Sequence, residues 1–134
     1  MACGDFKQIR IGEYLTFRFD SSGEFAQNPL ALSDAIDVGA AGKVTVTITF
    51  TRTDLHGGDL RFKFATAPVN VEEYYVDVGV NIDLTDDITT VTAVMDSTHD
   101  LSRFFRLIPE VTTNPSADAS VTCTIDAIVR GCGA

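Results

Sequence analysis

The chain predicts an all-β fold, an antiparallel two-sheet β-sandwich of jelly-roll-like form with about eight strands. Three observations carry this. The run Lys43-Val44-Thr45-Val46-Thr47-Ile48-Thr49-Phe50 alternates polar and apolar residues without a break, the two-residue period of a strand with one buried face. The same period recurs along most of the sequence, and Thr and Val are plentiful. Helix signals are nearly absent: no three-to-four spacing is sustained, and Pro29, Pro68, Pro109 and Pro115 interrupt every candidate.

The period places strands at Phe6 to Ile11, Tyr14 to Asp20, Lys43 to Thr53, Asp59 to Thr66, Glu73 to Asp83, Ile88 to Met95, Ser102 to Val111 and Ser120 to Arg130. Gly12-Glu13, Leu55-His56-Gly57-Gly58, Leu84 to Asp87 and Asn114-Pro115-Ser116 supply the turns, because glycine accepts positive φ and Asp, Asn and Pro favour reversals. The clearest hairpin joins Val44-Val46-Ile48-Phe50 to Leu60-Phe62-Phe64 through the glycine pair, with Arg61 and Lys63 facing away from the core. The long irregular stretch from Asp20 to Gly42 carries Phe25, Leu30, Leu32, Ile36 and Val38, so it folds over a sheet edge or adds a short strand around Ser33 to Val38. Eight strands around one core with a long early crossover is what two Greek keys require.

At 134 residues the chain suits one domain, 1–134, large enough for a core that needs no disulfide or metal. A net charge of −9 argues against direct nucleic-acid binding, which draws its affinity from clustered Lys and Arg. The start, Met1-Ala2-Cys3-Gly4-Asp5-Phe6-Lys7, lacks the basic region and apolar run of a secretion signal, and eighteen consecutive apolar residues occur nowhere, so synthesis in the cytoplasm and no membrane insertion are expected. Of three cysteines, Cys123 has the inward parity of Val121, Ile125, Ala127 and Val129 and reads as a small buried hydrophobe; Cys3 and Cys132 are free thiols or, under oxidising conditions, a bridge.

Several groups carry residue types used in catalysis or metal binding. His99-Asp100-Leu101-Ser102 has the residue types of a hydrolytic triad without a strained nucleophile turn, and reads as a polar loop. His56 reads as a solvated turn tip. Asp83-Leu84-Thr85-Asp86-Asp87 and Asp96 to Asp100 concentrate oxygen donors, but turn propensity explains them and neither matches a calcium loop. Glu72-Glu73 with Glu110 reads as surface carboxylates rather than a glycosidase pair. No catalytic residue, cofactor or metal ligand is therefore expected. A carbohydrate-binding or adhesion module is the alternative function, for which only Tyr14, Tyr74 and Tyr75 offer amphipathic rings, since Trp is absent and most Phe fall at core parity.

Leu101-Ser102-Arg103-Phe104-Phe105-Arg106-Leu107-Ile108-Pro109-Glu110-Val111, a polar turn, and Ala119-Ser120-Val121-Thr122-Cys123-Thr124-Ile125-Asp126-Ala127-Ile128-Val129-Arg130 resemble the closing hairpin of small β-sandwich accessory proteins of tailed-phage virions. With the threonine-rich hairpin before it, the resemblance spans roughly the last two thirds of the chain and includes no diagnostic motif, so no site residue transfers. It implies a non-enzymatic capsid decoration or stabilising subunit, incorporated in a virion and bound to the major capsid protein or other virion subunits, as a homo-oligomer of which a trimer is typical. On that reading Phe25, Leu30, Leu32, Ile36, Val38, Arg61 and Lys63 are the candidate interface residues.

Overall fold

A computed structural model describes residues 6–27, 35–39, 41–84, 90–95 and 102–131. Its strands are β1 (Phe6–Phe19), β2 (Phe25–Gln27), β3 (Ile36–Asp37), β4 (Ala41–Asp54), β5 (Asp59–Ala67), β6 (Val76–Leu84), β7 (Thr90–Met95), β8 (Phe104–Thr113) and β9 (Ala119–Gly131), with a 3-10 turn at Glu72–Tyr74. One sheet has the order β2-β1-β9-β4-β7 and the other β3-β8-β5-β6, with antiparallel pairing throughout. Apart from the short β2, the first and last strands pair (β1 with β9), as do β3 with β8, β4 with β7 and β5 with β6. That nested pairing is a long antiparallel ribbon rolled over itself, the jelly roll expected from the period-two pattern.

Alternation builds the core directly. Val44, Val46, Ile48 and Phe50 of β4 turn inward beside Val121, Cys123, Ile125, Ala127 and Val129 of β9, and face Leu60, Phe62 and Phe64 of β5. Phe62 joins the layers: its ring meets Phe17 edge-on at 5.2 Å between centroids and Phe50 at 6.3 Å. Burying a Phe side chain of this kind stabilises by roughly 1.5–3 kcal/mol, so this trio is a main source of sheet-on-sheet cohesion.

Three local expectations are corrected. Gly12-Glu13 does not reverse the chain; β1 runs through it as one strand, the two register shifts against β9 absorbing the extra residues as bulges, with Tyr14 in the left-handed region at φ 50°. Leu55-His56-Gly57-Gly58 is a turn, with positive φ at His56 and Gly57 and Gly58 N–H donating to the Leu55 carbonyl at 2.8 Å, but it joins the two sheets rather than closing a hairpin within one. Both edges of β4 are already occupied, by β9 and β7, and Leu55 is anchored in the core, so β5 crosses to the opposite layer. The β8–β9 segment likewise turns a corner between sheets; Ser116 N–H and Oγ–H both donate to the His56 carbonyl, tying the two corners together.

The expected strand from Glu73 begins only at Val76, because Glu72–Tyr74 form the 3-10 turn. A short strand within the Ser33 to Val38 region is present as β3.

Candidate functional site

The outer face of the four-stranded sheet is an ion-paired lattice. Arg61 on β5 sits opposite Asp83 on β6 and Glu110 on β8, and its Nε donates to Asp83 Oδ1 at 2.5 Å. Lys63 Nζ lies 2.9 Å from Glu110 Oε2. At the β3 edge, the Arg103 guanidinium donates twice to Asp37 Oδ2, at 3.0 and 3.1 Å, and holds that carboxyl below the usual Asp range. Arg61 and Lys63 thus project from the outer face as the alternation requires, and their charges are matched within the sheet.

Over this face folds the β5–β6 connection. Arg106, with only 12% of its side chain exposed, is covered by the Tyr75 ring at 5.2 Å and donates to Glu72 Oε2 at 2.5 Å. Tyr75 in turn donates its hydroxyl to Asn70 Oδ1 at 2.7 Å, and burial pushes its pKa up. Because these polar groups point down onto the sheet, the apolar ones point out: Val69, Val71, Tyr74 and Val76 are exposed together, Val76 to 63%. These four exposed apolar residues lie within one short connection that an ion pair and a ring contact tie to the sheet. Sequence reasoning placed Tyr74 and Tyr75 on a strand and found one outward ring; it missed Val69, Val71 and Val76, whose only signal is apolar residues flanking the Glu72-Glu73 pair.

Three of the candidate interface residues take partners within the chain. Phe25 is half-buried with its ring 5.8 Å from Phe19, while Ile36 and Val38 are buried in the core and Val38 N–H donates to the Arg103 carbonyl. Their apolar character is therefore used inside the chain. Leu30 and Leu32 lie outside the described residues, as do Cys3, Cys132, His99, Asp100 and the Asp86-Asp87 and Asp96 loops.

The remaining chemical candidates take structural partners. His56 Nε2 lies 3.1 Å from Asp54 Oδ1 at the exposed corner, Ser102 N–H donates to Thr66 Oγ1, and Asp83 is held by Arg61. Glu72 and Glu110 each face a cation. Cys123 is buried at inward parity, and desolvation pushes its thiol up to about 12, so it behaves as a hydrophobe. Among the described residues no group of three or more His, Cys, Asp or Glu stands together as a metal cradle.

The nested strand pairing and alternating core define the class: an antiparallel jelly roll with one added edge strand. No protein-family model matches the chain and no curated protein matches it in sequence. Solved structures do. The chain is similar to VP2 of infectious bursal disease virus in its subviral particle, with a TM-score of 0.54 and 13% identity over 96% of this chain and 33% of that one. A point mutant of the same virus's VP2, from T=1 particles, aligns with a TM-score of 0.51 and 15% identity over 95% of this chain and 32% of that one. A chain of the Triatoma virus empty capsid aligns over 96% of this chain and 92% of its own, at 13% identity and a TM-score of 0.46. The chain spans about a third of the length of the VP2 chains. At these identities the likeness to the two VP2 chains shows a shared fold and nothing more, and neither of them is a tailed-phage decoration protein.

Proposed function

We propose that this chain is a non-enzymatic structural protein of a virion. The observation that carries the reading is the structural match of nearly the whole chain to VP2, a protein solved in subviral and T=1 particles. Within that reading, its role is that of a capsid decoration or stabilising subunit, a homo-oligomer that binds the assembled shell. The exposed Val69, Val71, Tyr74 and Val76 corner supports an assembly role, since apolar area concentrated on a pinned segment is what a protein partner covers. Arg61 and Lys63, farther along the same outer face, are candidates for a further contact.

The test is sedimentation with electron microscopy. The full chain is centrifuged by itself and then with preformed shells of its virus. A decoration subunit stays small by itself and moves with the shells, and Val76→Asp with Tyr74→Asp weakens that transfer at least tenfold. Closed particles formed by the chain itself would reassign it as a shell subunit. A persistent monomer that ignores the shells and is retained on a glycan column would instead establish the carbohydrate-binding alternative.

A further inference from the structure

We propose that the depression at the end of the five-stranded sheet, where β1 and β4 finish and β9 begins, binds an oxyanion (a carboxylate, sulfate or phosphate group) between Arg18 and Arg52. The depression encloses about 610 Å³ and is lined by both arginines together with Asp20, Asp118 and Ser120. It goes beyond the virion reading and does not depend on it.

The strand register builds the site. Arg18 lies opposite Ser120 on β9, and Arg52 opposite Thr122 from the other side, so the two arginines flank the same stretch of β9. Two strand spacings separate them, about 10 Å between backbones, a gap that two long side chains reaching inward can close on one bound group. Arg52 is there because of a bulge. Counting by twos from Phe50 would put it in the core, but the register shift between Phe50 and Arg52 sets both Thr51 and Arg52 outward, with Thr51 Oγ–H donating to the Thr122 carbonyl at 3.2 Å. Bulges of this kind re-aim side chains.

In a chain of net charge −9, where Arg10, Arg61, Lys63, Arg103 and Arg106 all have carboxylate partners, Arg18 and Arg52 form no ion pair among the described residues. Asp20 shares the depression but turns its Oδ1 to its own loop, accepting from Ser22 N–H, Ser22 Oγ–H and Glu24 N–H. Two guanidiniums offer forked donors suited to a planar or tetrahedral oxyanion, and Ser120 in the same lining adds a hydroxyl. Charges elsewhere on the chain are screened beyond about 8 Å at physiological ionic strength, so the local balance is set by the two arginines against Asp20 and Asp118 in the same lining.

Isotope-labelled full chain is titrated with inorganic phosphate, glucuronate and glucose, following the amides of Arg18, Arg52, Ala119, Ser120 and Thr122. Saturable shifts with glucuronate and not with glucose are expected. Arg18→Gln and Arg52→Gln, each with an otherwise unchanged spectrum, should weaken binding about tenfold, the worth of one charge-assisted contact. Lys43→Gln, at the opposite end of the same sheet, should leave it unchanged. Phosphate binding as tightly as glucuronate identifies a bare oxyanion as the source, and a tenfold preference for glucuronate identifies an acidic hydroxylated molecule. The proposal is overturned if no oxyanion gives saturable shifts there, if glucose binds equally, or if both Gln variants bind as the unmodified chain does.

Discussion

The two sheets share one core and one alternation, yet their outer faces solve the problem of charge in opposite ways. On the four-stranded sheet, Arg61, Lys63, Arg103 and Arg106 are matched by Asp83, Glu110, Asp37 and Glu72. On the five-stranded sheet, Arg10 pairs with Asp126 and Glu13, but among the described residues Arg18, Lys43 and Arg52 form no ion pair, and their strands carry Thr16, Thr45, Thr47, Thr49, Thr122 and Thr124. Cross-strand neighbours cause the difference. β5 is flanked by β6 and β8, which bring acids opposite its cations, whereas β9, the centre of the other face, brings mainly hydroxyls. The paired face is a closed structural surface, covered in part by the β5–β6 connection; the unpaired one retains positive groups for something else to satisfy.

The largest effect is expected where the two regions meet. Phe62→Ala removes the ring that touches both Phe17 and Phe50, and should cost about 3–5 kcal/mol in urea denaturation, with both faces lost together in one transition. Independent melting of the two sheets would break the comparison at its base.

A matched pair of arginine substitutions sharpens it. Arg106→Ala strips a nearly buried stem and leaves Glu72 and Tyr75 without their partner, a loss of about 1–3 kcal/mol with increased proteolysis at the β5–β6 connection. Arg18→Gln, on the unpaired face, should stay within about 0.5 kcal/mol of the original. Equal costs for the two would show that pairing is not what distinguishes the faces.

The smallest effect concerns pH. Arg103 lowers the Asp37 pKa on folding, so the bond's contribution is full above the unfolded value of about 3.9 and fades as the pH falls through the lower folded value. Asp37→Asn should therefore destabilise slightly at neutral pH, and the gap between the two proteins should close below about pH 4. Denaturation midpoints across that range check the sign; a gap that widens in acid contradicts it.

Much of this was readable from residues. The alternation in β4 assigns Val44, Val46, Ile48 and Phe50 inward, and the parity of β9 buries Cys123 as expected. The candidate site was less legible. Phe25, Ile36 and Val38 looked available because they lie outside long strands, but burial depends on what folds over them, and the structure spends Ile36 and Val38 on the core. Arg52 carried a signal that went unused: an arginine at core parity in an unbroken strand implies a bulge.

By itself, then, the sequence determined the things that depend on a residue and its near neighbours: the period of two, the inward side of β4 as far as Phe50 and of β9, and the turn at Leu55 to Gly58. Only the tertiary structure decided which strand lies beside which. Whether a turn closes a hairpin or crosses between layers depends on which edges distant strands already occupy, and whether an outward cation finds a carboxylate or a hydroxyl depends on the register of a strand far away along the chain.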